Sequence, residues 1–233
     1  MEKGHLYLLP MTLGESPVNE VIPDAVLKQI IQFKFLVVEN IKTTRRYLKK
    51  INREVDINSI TFFELNKHTK SEEINSFLNP CYEGNHVGII SEAGCPAVAD
   101  PGSVLVAIAH KREIKVIPFV GPNSILMALM GSGFNGQSFK FSGYLDHDKA
   151  RRKHQIRDLE SDARKGTTQL FMETPFRNQQ FLEDLLSSLH PDSLLCIAAD
   201  ITLETEFIQT HPVHFWKKNL PNLHKRPCIF AIG

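Results

Sequence analysis

Residues 91–102, SEAGCPAVADPG, form a stretch whose composition suits close contact between a ligand and the protein backbone. The stretch has two glycines, three alanines and two prolines, and it lies between an apolar run at 86–90 and a helix-like segment from Ser103. Ligands of open α/β sheets bind beyond the carboxyl ends of strands, where small side chains leave backbone N–H and C=O groups accessible. We therefore predict a ligand loop. The alternative is a tight structural turn, since the pattern is neither GxGxxG nor a P-loop.

Two groups of basic residues are the second feature that could carry chemistry. The first group, which opens a predicted helix, contains Lys149, Arg151, Arg152 and Lys153. The second group shares another predicted helix and contains Arg45, Arg46, Lys49, Lys50 and Arg53. Like charges this close destabilise a helix, so such groups often face an anion such as a phosphate. A solvated helix face is the alternative for both.

Strand-like and helix-like segments alternate along most of the chain, which favours an α/β fold with largely parallel sheets. The predicted strands are 5–9, 35–39, 60–64, 86–91, 115–119, 139–143, 169–173, 194–199, 206–210 and 228–232. The predicted helices are 23–33, 43–51, 71–78, 103–112, 122–130, 148–164, 175–189 and 212–219. We expect segments 139–145 and 206–210 to pair antiparallel. A boundary near residue 120 divides the chain into α/β domains at 1–119 and 120–233.

The composition limits the partners and the cellular location that the chain can be expected to have. The 233 residues include 42% hydrophobic and 23% charged residues with a formal net charge of +1, so a nucleic-acid partner would have to be recognised locally. No apolar run approaches a bilayer span, and the start lacks a signal-peptide core. The four cysteines and ten histidines show no metal-ligand spacing. We therefore predict a cytoplasmic protein without a metal or a membrane partner.

Eight segments, taken in order, carry a family resemblance. Besides 91–102 they are LYLLP (6–10), VENIKTT (38–44), IPFVGPNS (117–124), FKFSGYL (139–145), FMETPFR (171–177), AADITLETE (198–206) and RPCI (226–229). Residues 91–102 are similar to the signature S-D-A-G-T-P-x-x-x-D-P-G, with Glu92 and Cys95 in place of Asp and Thr. The ordered set resembles the ribosomal RNA small-subunit 2′-O-methyltransferase I family, within the tetrapyrrole methylase superfamily.

The resemblance implies two α/β domains of the tetrapyrrole methylase type, with S-adenosylmethionine (SAM) in a cleft between them, and a homodimer. Carried over motif by motif, the cofactor contacts are Pro10, Glu92, Ala93, Gly94, Cys95, Val98, Asn123, Ser124, Met172 and Ala199. The first basic group corresponds to a basic segment of the family, so we predict that it contacts RNA phosphates. The implied reaction is methylation of a ribose 2′-hydroxyl of ribosomal RNA.

The sequence departs from the family at positions near the expected site. The family segment P-x-G-N-L contains an Asn that residues 11–15 lack. Ala199 and Leu203 stand where the family segment A-R-E-L-T-K has Arg and Lys. Phe176 stands where F-Y-E-x-P-H-R has His. Two alternatives therefore stay open. One is a methyltransferase of the same fold for a tetrapyrrole or another small molecule. The other is a SAM- or RNA-binding module without turnover.

Methyl transfer from a sulfonium mainly needs an aligned acceptor, and a ribose hydroxyl also needs a base or a polarising contact. The candidate bases are the carboxylates of Glu39, Asp100, Glu173 and Asp200. Asp100 is also suited to cap the helix that follows it, and Glu173 to pair with Arg177. We hypothesise that Glu39 or Glu173 orients the acceptor.

Overall fold

The computed structural model describes residues 2–66 and 68–233, which form two compact α/β units. The first unit ends at Asn123 and the second is Ser124–Gly233, whereas the sequence-based boundary follows residue 119. Residues 120–123 stay with the first unit because Gly121 packs directly on Pro10. A Cβ atom at Gly121 would lie only 2.1 Å from the Pro10 Cβ.

The first unit contains a five-stranded sheet in which every pairing is parallel. Its strands are β1 (Leu6–Leu8), β2 (Phe35–Val38), β3 (Thr61–Glu64), β4 (Val87–Ile90) and β5 (Val116–Pro118). Its helices are α1 (Val18–Val21), α2 (Asp24–Ile30), α3 (Ile41–Ile51), α4 (Ser71–Ser76), α5 (Asn79–Tyr82) and α6 (Gly102–Lys111), with a 3₁₀ turn at Ile57–Ser59. The strand order is β3-β2-β4-β1-β5.

Helices cover both faces of this sheet, and alternate residues of the central strands enter two separate cores. On β4, Ile90 packs in the core that α2 and α3 complete, while Val87 and Ile89 pack in the core of α4 and α6. Because both faces are buried, the strands are continuous apolar runs, and for this reason the sequence pattern located them.

The connections that leave β1 and β4 run in opposite directions across the sheet. From β1 the chain crosses to β2 on one side, and from β4 it crosses to β5 on the other. The two strands are adjacent, so the loops after them diverge and open a crevice at the carboxyl edge. We call this place the switch point.

The second unit contains a mixed five-stranded sheet of order β6-β7-β10-β8-β9. Its strands are β6 (Phe139–Tyr144), β7 (Thr168–Met172), β8 (Leu194–Ala199), β9 (Phe207–Pro212) and β10 (Cys228–Ile232). Its helices are α7 (Ser124–Ser132), α8 (Lys149–Arg164), α9 (Asn178–Ser188) and α10 (Val213–Trp216). The core contains Phe171, Phe230 and Trp216, whose indole N–H donates to the Leu195 carbonyl at 2.9 Å.

Strand directions in the second unit only partly follow the sequence-based expectation. The prediction that 139–145 pairs antiparallel is wrong, because β6 pairs parallel with β7. The sixteen-residue helix α8 separates these strands and supplies the crossover that a parallel pair needs. The antiparallel pairing of 206–210 is confirmed, since β9 runs antiparallel to β8. Largely parallel pairing is therefore correct for the first unit and wrong for the second.

Each predicted strand and each predicted helix overlaps an observed one. The four-residue helices α1 and α5 were not predicted, because four residues are too few to show helical periodicity. Within residues 2–66 and 68–233, no helix is both long and apolar enough to cross a membrane.

Candidate functional site

The ligand loop, residues 91–102, leaves β4 at the switch point and pairs there with the loop after β1. The Met11 N–H donates to the Gly94 carbonyl at 2.9 Å, and the Gly94 N–H donates to the Met11 carbonyl at 3.2 Å. This isolated antiparallel bridge joins the two diverging loops into one surface. The structure therefore places the predicted ligand loop where open α/β sheets bind their ligands.

Several residues of the ligand loop adopt left-handed backbone torsions. Gly94, Ala97 and Ala99 have φ values of 69°, 65° and 60°. The two alanines are strained by this conformation, which L-residues avoid. Such strain persists where the surroundings enforce it, and it is concentrated at functional sites.

Asp100 is the side chain that holds the strained segment. Its two carboxylate oxygens each accept from the Ala97 N–H at 2.9 Å, and Oδ1 accepts from the Gly102 N–H at 2.6 Å. Burial raises the pKa of Asp100, and the hydrogen bonds from Gly102, Ala97 and Ser91 oppose that rise. These contacts at the first turn of α6 support the capping interpretation of Asp100 rather than a role as a base.

The crevice is lined by small residues of the ligand loop, and Gly94 among them is buried. A Cβ atom on Gly94 would lie 3.1 Å from Leu13 Cδ2 and 3.2 Å from the Pro122 carbonyl oxygen, which are tight contacts, and the φ of 69° also favours glycine here. Ala93 and Val98 of the same loop are exposed. A cofactor held through backbone groups fits such a surface.

Cys95 ties the ligand loop to the segment that precedes α7. Its Sγ atom lies 3.6 Å from the Gly121 carbonyl oxygen and 3.4 Å from that of Pro122. Burial raises the pKa of the Cys95 thiol, and a hydrogen bond with Asn123 opposes the rise. Of the predicted cofactor residues, Pro10, the 92–98 segment and Asn123 thus converge at one edge of the first unit.

Glu39 and Glu92 lie together at this edge. The Glu92 N–H donates to Glu39 Oε2 at 3.3 Å, and the Thr43 hydroxyl bonds the Glu92 carboxylate. Asn40 positions Thr43 because its side chain accepts from the Lys42 and Thr43 N–H groups and so caps α3. Partial burial, followed by the charge of Glu39, raises the pKa of Glu92, and the Thr43 bond opposes this.

The remaining predicted cofactor residues belong to the second unit. Ser124 is the first residue of α7, Met172 the last of β7 and Ala199 the last of β8. Met172 pairs with Ile229, and Ala199 pairs with Cys228, the first residue of β10. The sheet register therefore brings Met172 and Ala199 to the same edge, on either side of β10.

Glu173 follows Met172 and is engaged in a local ion pair. Its Oε1 atom accepts from Arg177 Nη2 at 2.8 Å and from the Thr174 N–H at 2.6 Å. The Glu173 side chain is only 5% exposed. This geometry favours the structural interpretation of Glu173, and its role in orienting an acceptor stays a prediction.

The first basic group contains one side chain in a buried ion pair, two exposed side chains and the half-buried Lys153. Arg152 donates to Asp184 and to the carbonyls of Asp146 and His147. Arg151 and Lys149 are 72% and 63% exposed, and Lys153 has no ion pair within the described residues. The structure thus separates Arg152 from the other three.

Two site residues escaped the sequence-based prediction. The buried Tyr47 donates its hydroxyl to the Pro10 carbonyl at 2.8 Å and so fixes the end of β1. Gly121 gives Pro10 room to approach. Tyr47 looks like an ordinary core residue of α3 in the sequence, whereas Gly121 is part of the quoted IPFVGPNS segment and could have been found there.

Among the described residues, no group of three or more His, Cys, Asp or Glu side chains could hold a metal ion.

Comparison with known proteins first defines the fold class. The chain superposes on diphthine synthase with a TM-score of 0.68 and 14% identity, covering 98% of this chain and 89% of that one. It superposes on the methyltransferase CobJ with a TM-score of 0.64 and 16% identity, covering 99% and 94%. The fold, with its loop at the switch point, is that of the tetrapyrrole methylases, as predicted.

Sequence comparison then gives the family, although no family model matches the chain. The chain is 34% identical over 209 residues to ribosomal RNA small subunit methyltransferase I of Leptospira borgpetersenii, covering 88% of this chain and 78% of that protein. Proteins of the same name from Halalkalibacterium halodurans and Vibrio cholerae are 30% and 28% identical. The alignments span 60% and 68% of those two relatives. The chain belongs to the ribosomal RNA small subunit methyltransferase I family, which confirms the resemblance.

Proposed function

We propose that the protein transfers a methyl group from SAM to a ribose 2′-hydroxyl of small-subunit ribosomal RNA. Membership of a methyltransferase family supports the reaction class. The structural observation that carries the proposal is the Met11–Gly94 bridge, because it builds one backbone surface at the switch point. The names of the relatives supply the substrate class.

The residues proposed to hold SAM are those that the family resemblance implies. In the first unit they are Pro10, Ala93, Gly94, Cys95 and Val98, with the main chain of Glu92 and with Asn123. In the second unit they are Ser124, Met172 and Ala199. When bound, SAM supplies a methyl group that its sulfonium has already activated. The chain itself positions the acceptor, excludes water and accepts a proton.

Glu39 is proposed to act on the acceptor through the ligand loop. Its carboxylate accepts the Glu92 N–H, so it fixes the start of the loop. Glu173 holds Arg177 and the Thr174 N–H, which supports a positioning role for it in the second unit. A Glu39→Gln variant that keeps full turnover and normal SAM affinity would remove Glu39 from this role.

Calorimetric titration of the purified protein with SAM and S-adenosylhomocysteine is the first test of the function. We expect both to bind, because the surface presents main-chain groups that both molecules can use. Undermethylated small subunits should then gain one 2′-O-methyl group per site, mapped by mass spectrometry of the RNA. Binding without a product on RNA would favour a small-molecule acceptor or a non-catalytic module, and no binding would refute the cofactor.

We propose that Lys149, Arg151 and Lys153 contact RNA phosphates, without Arg152. Replacing the three with Gln is expected to lower the slope of log affinity against log salt by about one per lost contact. The measurement is RNA binding by fluorescence anisotropy between low and physiological salt. Arg164→Gln with Lys165→Gln is the control because these two cations are similarly exposed and lie at the far end of α8, away from the first basic group. An equal change in the control would count against the contact.

We propose that the protein is a cytoplasmic homodimer. All four cysteines are free thiols, which supports a reducing compartment. The sequence of α7, SILMALMGS, has no charged residue, and its Leu126 and Met130 are 47% and 82% exposed. Such an apolar surface favours a subunit contact. Sedimentation equilibrium of the chain gives the mass that decides between monomer and dimer.

A further inference from the structure

A pocket beside the ligand loop has no assigned role. It encloses about 190 Å³ and is lined by residues 11–15, by Thr43, Arg46 and Lys50 of α3, and by Glu92. We call it the acceptor pocket. Its walls come from the loop after β1 and from the helix after β2, so it opens at the carboxyl edge of the sheet next to the switch point.

The charged side chains of the acceptor pocket differ in whether they form ion pairs. Lys50 pairs with Glu15, so each neutralises the other. Arg46 has no ion pair within the described part of the chain, although its neighbour Arg45 lies over the Phe62 ring at 5.3 Å. The Glu92 carboxylate accepts from the Thr43 hydroxyl. The hydrogen bond and the charge of Lys50 lower the pKa of Glu15 most, and the charge of Arg46 lowers it further. The pocket therefore offers one guanidinium outside an ion pair and one carboxylate acceptor.

These two groups match the polar ends of a ribose phosphate. A guanidinium binds phosphate oxygens through charge-assisted hydrogen bonds, and a carboxylate accepts hydrogen bonds from sugar hydroxyls. Neither group alone indicates a nucleotide, whereas the two groups in one pocket complement the phosphate and the hydroxyl of a ribose phosphate. The loop residues Gly14 and Thr12 add little bulk to the remaining wall.

The cavity that Glu92 lines is much larger than the cavity that Glu39 lines. The cavity that Glu39 lines encloses about 10 Å³, enough for one water molecule at most. Glu92 faces the pocket that is many times larger. A substrate hydroxyl can therefore reach the carboxylate of the exposed Glu92, while the half-buried Glu39 accepts the Glu92 N–H.

We infer that the acceptor pocket receives the acceptor ribose and its phosphate, that Glu92 takes the proton of the reacting hydroxyl, and that Arg46 holds the phosphate. This inference rests on the proposed function. The acceptor oxygen forms the new bond to the methyl carbon as the carbon–sulfur bond of the donor breaks and the sulfur keeps that electron pair. The hydroxyl proton passes to the Glu92 carboxylate, which later returns it to water.

The electrostatic setting of Glu92 suits this task. Its raised pKa makes the carboxylate a stronger base than an ordinary glutamate. The charged groups around it are Glu39, Glu15, Arg46 and Lys50. The base works only when ionised, so the single-turnover rate should fall as the pH drops through the raised pKa of Glu92.

The test uses Glu92→Gln and Arg46→Gln in the full chain, with Arg45→Gln as the matched control on the same helix. For Glu92→Gln we expect SAM and RNA affinities within about twofold of wild type, and a single-turnover rate at least about 100-fold lower without the acid limb of the pH profile. For Arg46→Gln we expect unchanged SAM affinity, RNA affinity about tenfold weaker and a salt slope lower by about one. Arg45→Gln should stay within about twofold of wild type.

Three results would overturn the inference while leaving the proposed function intact. In the first, Glu92→Gln weakens SAM binding tenfold and keeps full turnover at saturating SAM, which assigns its carboxylate to the cofactor. In the second, Arg45→Gln and Arg46→Gln weaken RNA binding equally, which shows a general charge effect. In the third, both site variants methylate RNA normally. A wild-type protein that binds neither SAM nor RNA would instead refute the proposed function itself.

Discussion

Replacing Arg152 with methionine is expected to destabilise the second domain by about 3–5 kcal/mol, because the change leaves a buried carboxylate without its main partner. Arg152 Nε and Nη2 donate to Asp184 Oδ2 at 3.1 and 2.5 Å, and the two side chains are only 12% and 4% exposed. Lys149, at 3.7 Å from Asp184, is too exposed to replace the guanidinium. The free energy of unfolding is measured by urea denaturation.

The adjacent residue provides the matched control for Arg152. Arg151 is 72% exposed and pairs with Asp146 at the surface, so Arg151→Met should cost less than about 1 kcal/mol. Changing Arg152→Met together with Asp184→Leu should recover part of the loss, because no charge then stays buried. Equal effects of Arg151→Met and Arg152→Met would contradict the buried role of Arg152.

Gly121→Ala is expected to damage cofactor binding and stability together. The new Cβ would lie 2.1 Å from the Pro10 Cβ and 2.7 Å from its Cγ, so the end of β1 has to shift. Pro10 cannot yield easily, since its ring is rigid and its carbonyl is held by Tyr47. We expect a loss of about 1–3 kcal/mol in unfolding free energy and SAM affinity at least about tenfold weaker.

The glycine control is Gly136→Ala. A Cβ at Gly136 meets nothing within 4 Å, so this variant tests the loss of glycine flexibility without a clash. It should keep wild-type SAM affinity in calorimetry and change the melting temperature little. Wild-type SAM affinity in Gly121→Ala would show that the contact with Pro10 does not shape the cofactor surface.

The sequence predicted those parts of the fold that local patterns determine. Strands such as β4 are buried on both faces and appear as short apolar runs, and the small residues at 91–102 mark a backbone-lined loop. The direction of β6 was wrong because pairing depends on where the chain returns after α8, which no local pattern records. Strand positions were thus accessible from the sequence, and strand directions in the mixed sheet were not.

At the candidate site, the sequence could not predict the direction in which each side chain points. Arg151 and Arg152 are adjacent basic residues, yet only Arg152 turns inward to Asp184. Glu39 ends one predicted strand and Glu92 follows another, yet only Glu92 lines the acceptor pocket. A helix or loop pattern gives spacing along the chain, whereas these differences depend on what packs against each side chain.

The left-handed backbone torsions of the ligand loop help to explain which residue types are found at positions 91–102. The groups that we propose recognise the cofactor are main-chain amides and carbonyls, which no amino-acid substitution can remove except proline at a donor. Mutation can damage such a surface mainly by forbidding the angles at Gly94, Ala97 and Ala99. The backbone angles that the loop needs therefore explain the small residues of the motif, whereas Glu92 and Asp100 contribute side-chain carboxylates. Replacing Ala97 or Ala99 with glycine, which relieves the torsion, is the change that the loop should accept most readily.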